Sequence, residues 1–132
     1  MNSLWVVLLV SISTSLIAGE AAQAEEKVSF RKHIAPIFRD ECTYCHMREE
    51  HMGYLVLEQE LAYENLVDVP AYGYPRLKRV QPGEPDRSYL WLKLTGQHLA
   101  VGGKGWPMPY YPMVDEKRLL VHDWIVQGAK NN

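Results

Sequence analysis

Cys42-Thr43-Tyr44-Cys45-His46 is where this chain gathers side chains capable of covalent and metal chemistry at a defined spacing. Two thiols three positions apart on one turn of helix can reach the two vinyl groups of a porphyrin edge and form thioethers, and the histidine that follows then falls under the iron. In an exported protein the pentapeptide reads as an attachment site for one haem c, with Cys42 and Cys45 as covalent anchors and His46 as the proximal axial ligand. No other cysteine is present, and a disulfide between these two would close too small a loop to staple a fold.

Other chemistries use the same residue types. A thioredoxin-like redox pair belongs at a strand-to-helix junction of a βαβ unit, and no strand pattern precedes Cys42. A zinc site built from Cys42, Cys45, His46 and His51 would need two adjacent residues as ligands, a poor arrangement for tetrahedral coordination. Two cysteines merely oxidised to each other would explain neither the histidine nor the long loops that follow.

The sixth iron ligand decides between electron transfer and ligand chemistry, because a thioether favours Fe(II) and raises the potential, whereas an open position admits small molecules. Met108 is the leading candidate: Pro107 and Pro109 flank it and restrict the backbone so that a loop presents the sulfur. Met113, in the same loop, is the alternative. Met47 and Met52 stand too close to His46 in sequence to reach the opposite haem face. His98 is the candidate if ligation were bis-histidine. Trp106, Tyr110 and Tyr111 either line the haem edge or serve ordinary aromatic packing.

The elements that must hold these residues read as helices. Phe30, Ile34, Ile37 and Phe38 recur at helical spacing behind Ser29 as N-cap, with Pro36 starting or bending the helix. Residues 56–66 form a short amphipathic helix with Glu58, Glu60 and Glu64 outward. Residues 85–96 form another, capped by Asp86 and ended by Gly96, and residues 115–128 a last one with Asp115 as N-cap. Pro and Gly concentrate in 69–85 and 102–112, which read as long loops, and no stretch alternates convincingly with period two. The expected fold is all-α, three to five short helices and long loops wrapped around one covalently attached haem.

Composition fits this picture. Of 132 residues 47% are hydrophobic and 23% charged, as in ordinary globular proteins, and 14 basic against 16 acidic residues leave no basic excess for a nucleic-acid partner. Arg76, Lys78 and Arg79 form a local basic cluster, read either as a solvated face or as part of a docking patch. The uncharged stretch Leu4–Ala18 is short for a membrane span, and Ala22-Gln23-Ala24 has the small-x-small pattern cut by signal peptidase. Residues 1–24 are thus read as a cleaved signal peptide and 25–132 as one exported, periplasmic-type domain. The alternative is an uncleaved anchor, since Met1-Asn2-Ser3 brings no Lys or Arg. Membrane association would otherwise come only through a membrane-bound partner.

Several segments together carry a family resemblance: Val28-Ser-Phe-Arg-Lys-His-Ile-Ala-Pro-Ile-Phe38, Cys42-Thr-Tyr-Cys-His46, Leu55-Val-Leu57, Val80-Gln-Pro-Gly-Glu-Pro-Asp-Arg-Ser-Tyr-Leu90, Met108-Pro109 and Trp124-Ile-Val-Gln-Gly-Ala129. In this order they resemble the planctomycete-type cytochrome c domain, a branch of the class I monohaem cytochromes c. The resemblance spans nearly the whole chain after residue 24. It implies a class I fold in which N- and C-terminal helices pack across each other, with His46 proximal and Met108 distal at the iron. The function expected is a one-electron carrier cycling Fe(III)/Fe(II) between donor and acceptor proteins, not an enzyme. The alternatives are a haem protein with an open or displaceable sixth site that binds small ligands or reacts with peroxide, and a cytochrome subunit of a larger oxidoreductase.

Overall fold

Ser29 opens the first helical segment, its Oγ accepting the Lys32 N–H at 3.3 Å. The structure, a computed structural model, describes residues 26–49 and 52–132, so the expected signal segment 1–24 and His51 lie outside it. The first turn, Phe30–Ile34, is a wide π-turn in which Ala35 N–H reaches back five residues to Phe30 O. Pro36 has no N–H to continue that pattern, and the chain passes into an ordinary helix, α1 (Ala35–Glu41). The widened turn keeps Phe30, Ile34, Ile37 and Phe38 all buried.

These side chains meet α2 (Gln59–Leu66) and α4 (Asp115–Val126). The Phe30 ring lies 5.2 Å from Tyr63 in an edge-to-face contact and 5.4 Å from Trp124. Tyr63 donates its hydroxyl to Ala129 O, Trp124 donates its indole N–H to Lys130 O, and Lys117 of α4 pairs with Glu41 at the end of α1. The C-terminal residue completes the closure. Asn132 O accepts Arg31 N–H at 2.9 Å and the Ser29 hydroxyl at 2.8 Å, while Asn132 Oδ1 accepts Phe30 N–H at 2.9 Å. Donors that the first turn leaves unpaired are thus satisfied by the end of the chain.

The all-α expectation is corrected by a small antiparallel sheet, β1 (Pro70–Ala71) paired with β2 (Tyr74–Lys78), Lys78 lying opposite Pro70. Two features hid it: β1 has only two residues, and β2 exposes Pro75 and Arg76 side by side, so no face alternation marks the sequence. Helix starts are corrected too. α2 begins at Gln59 rather than 56, because the preceding segment is extended and Leu57 N–H donates to His46 O at 2.7 Å. The helix expected over 85–96 divides into a 3₁₀ turn, Pro85–Arg87, and α3 (Tyr89–Leu94). Ser88 between them is extended, its hydroxyl accepting Gln81 N–H and donating to Glu84 O, and Asp86 caps nothing. Asp115 likewise lies inside α4, behind Val114 at the cap position, and its carboxylate pairs with Arg118. Gly96 does end its helix, with φ +75°. Among the described residues no helix is long and apolar enough to cross a membrane.

Candidate functional site

α1 does not stop cleanly at Glu41. Cys42 N–H and Thr43 N–H both donate to Phe38 O, Thr43 Oγ1 donates to Arg39 O, and the N–H groups of Cys45 and His46 return to Cys42 O at 3.2 and 3.1 Å. The five residues 42–46 therefore coil as one more turn at the end of the helix, the local form in which both cysteines and the histidine ride on a single rigid element. Cys42 is half-buried against the core, Cys45 is exposed, and both thiols are free. Burial, with Glu41 and Cys45 nearby, pushes the Cys42 thiol up to about 12. A redox pair works through thiolate, and this environment keeps Cys42 as the thiol.

His46 lies half-buried with Nδ1 3.2 Å from Leu55 O. A carbonyl only accepts, so Nδ1 carries the proton and Nε2 keeps its lone pair. Burial is the largest influence on the ring and lowers its pKa; carbonyl contacts at Leu55 and Met52 oppose this, and the Arg79 charge adds to the lowering. Arg79 in turn donates to Asn65 O and Tyr54 O, both at 2.7 Å, and so ties the 3₁₀ turn Met52–Tyr54, which leads into Leu55, to the end of α2. The result is an imidazole held at Nδ1 by the Leu55 carbonyl and biased by burial toward its neutral form.

Met108 is on a different element. Its N–H donates to Lys93 O at the end of α3, at 3.0 Å, and its side chain is half-buried. Met113 instead is 7% exposed and belongs to the hydrophobic core. His98 is fully buried, with Nε2 donating to Gly105 O at 2.9 Å and Nδ1 without a partner among the described residues. Within the basic cluster Lys78 pairs with Asp68 at 2.6 Å, Arg79 is engaged as described, and Arg76 is exposed. Trp106, Tyr110 and Tyr111 are exposed on the Met108 loop, the first two in edge contact at 5.9 Å.

Cys42, Cys45 and His46 thus come together on one turn, while Met108 hangs from α3 on a separate loop. Leu55 O, Arg79 and Lys93, which organise these two arms, carry no motif in the sequence. Among the described residues no three His, Cys, Asp or Glu side chains converge on a metal position, and His51 of the zinc alternative lies outside them. Haem c asks for a different donor set: two thiols on one turn, an imidazole with its Nε2 lone pair free, and a thioether. The residues present match that set in kind, with the two thiols and the imidazole on the turn 42–46 and the thioether of Met108 on the loop bonded to α3. No family model, curated protein or solved structure matches the chain.

Proposed function

We propose that this chain is an exported monohaem c-type cytochrome of the planctomycete-type branch, a one-electron carrier rather than an enzyme. The observation that carries the reading is the turn 42–46: two free thiols and a neutral histidine whose Nδ1–H is committed to Leu55 O. Cys42 and Cys45 would hold the haem through thioethers, His46 Nε2 would be one axial ligand and the Met108 sulfur the other. Haem held there supplies one-electron Fe(III)/Fe(II) chemistry.

What the chain's own residues do follows from their environments. The Leu55 carbonyl orients the imidazole and makes it a better donor, as the second hydrogen bond of a ligating histidine generally does. Met113, packed in the core, could reach a ligand only by leaving a cavity behind, so the loop's other sulfur is favoured. A formal net charge of −2 gives little long-range steering, so donor and acceptor proteins would recognise a local surface near the haem edge.

The test is expression of the full chain with a competent c-type maturation system, a pyridine haemochrome assay, and spectra in both oxidation states. A c-type haemochrome with a ferric Met-to-iron charge-transfer band supports the reading. Haem without that band favours an open or bis-histidine site, and no covalent haem refutes it.

A further inference from the structure

The segment leading into Met108 is gripped from one side with unusual thoroughness for an exposed loop. Three successive carbonyls are taken by side chains: Lys104 O and Trp106 O by Lys93 Nζ at 2.7 and 2.8 Å, and Gly105 O by His98 Nε2 at 2.9 Å. Tyr89 Oη accepts the Lys104 N–H at 3.2 Å, and His98 O accepts the Gly103 N–H at 2.8 Å. Gly103 must be glycine for this fit, since a Cβ there would stand 2.6 Å from Tyr89 Oη and 2.7 Å from His98 O. Lys93 also accepts the Met108 N–H on its own carbonyl at 3.0 Å. One residue therefore holds the loop at both ends of its last turn, through its ammonium at Lys104 and Trp106 and through its backbone at Met108.

Lysine ordinarily leaves its ammonium in water, where it has full hydration and rotamer freedom. Here the stem lies along α3 beside the Tyr89 ring, whose centroid is 5.7 Å from Nζ, and the ammonium is given to two backbone carbonyls. Charge-assisted bonds of that kind are the stronger ones, and their acceptors are groups a wandering loop would leave to water.

Resting on the haem reading above, we propose that Lys93 is the positioning residue for Met108: it fixes the path of residues 104–108 in advance, so that the thioether is presented to iron instead of being captured from a mobile loop. A pre-set ligand loses less freedom on binding and holds its place in both oxidation states.

The test compares the matured full-length protein with Lys93→Met, which keeps the stem and removes the donors, and with Lys93→Arg, which keeps donors within reach. Haemochrome content should be unchanged in both. In K93M the ferric Met-to-iron band should weaken, the reduction potential should fall, and the Met108 amide should exchange faster by at least on the order of tenfold, the factor one of the two lost bonds supplies. The amides of α4 should keep their rate, and K93R should restore all three signals. If K93M also loses α4 protection, Lys93→Gln, with a shorter, uncharged donor group, decides: intermediate values support the role and wild-type values overturn it. A haem-loaded K93M protein with wild-type band, potential and exchange overturns the positioning role alone. A wild-type protein without covalent haem overturns the functional reading and the role at iron with it.

Discussion

Replacing Met108 and Met113 singly by alanine should separate ligation from packing. Met113 is 7% exposed in the cluster that includes Val121, Trp124 and Ile125, so its truncation removes buried contacts and leaves a cavity. Fully buried Met→Ala changes cost about 2–5 kcal/mol; at the loop entry to α4, where neighbours can collapse inward, the lower half of that range applies. For a domain of this size a loss of about 2–3 kcal/mol lowers Tm by on the order of 10 °C. Met108 is half-buried and loses less from packing, but its sulfur is the one assigned to iron. Well below its Tm, matured M113A should therefore keep the ferric Met-to-iron band and its potential while melting earlier. M108A should lose the band, fall in potential and bind exogenous imidazole. The reverse pattern, with the band lost in M113A and kept in M108A, refutes both the ligand assignment and the burial argument behind it.

Three further outcomes follow from contacts already described. Asn132→Ala removes the acceptor for Phe30 N–H and should cost about 1 kcal/mol in denaturant titration; an unchanged midpoint would show that the Oδ1 bond contributes nothing. Gly103→Ala drives a methyl against Tyr89 Oη and a backbone carbonyl that cannot yield, for about 1–3 kcal/mol and faster exchange at Met108; a neutral variant contradicts the close approach. In the chain before haem attachment, burial holds the His46 pKa below its ordinary value, so between that lowered value and about 6.5 the unfolded chain binds more protons than the folded one. That contribution is complete above about pH 6.5 and lost as pH falls through the folded value, so wild type should lose more stability on acidification than His46→Gln. Parallel pH profiles for the two would refute it.

The N-terminal core was legible because it obeys a single period: Phe30, Ile34, Ile37 and Phe38 are all buried, and Ser29 caps where its type and place suggest. Even the π-turn preserves that face. The sheet was not legible, since two residues of β1 cannot show a period and their pairing is set by the turn at 72–73. The caps assigned to Asp86 and Asp115 failed for a physical reason. A carboxylate can cap only from the residue before the first turn, and here Ser88 and Val114 occupy those places. At the candidate site the reactive atoms were visible in the pentapeptide, but their supports were not. Leu55 acts through a carbonyl, which every residue owns, and Arg79 and Lys93 look in sequence like solvated charges on exposed faces.

The two arms of the site differ in how they are held, and the difference bears on what the protein would do. The His46 arm is an extension of α1, and α1 is fixed to α4 and α2 through the aromatic contacts of Phe30 and the Glu41–Lys117 pair. The Met108 arm depends on α3, whose Leu92 and Tyr89 are buried and whose carbonyl and ammonium carry the loop. A site built to take up small molecules gains from a sixth ligand that leaves easily, which calls for a free loop. Here residues 103–106 and 108 are each bonded to α3 or to His98. Such an arrangement suits a centre whose two ligands must stay in place while the charge on the metal changes by one, because every ligand movement coupled to that change would add to the barrier. The same bonds make Lys93 and His98, rather than Met108 itself, the residues through which the loop would be loosened.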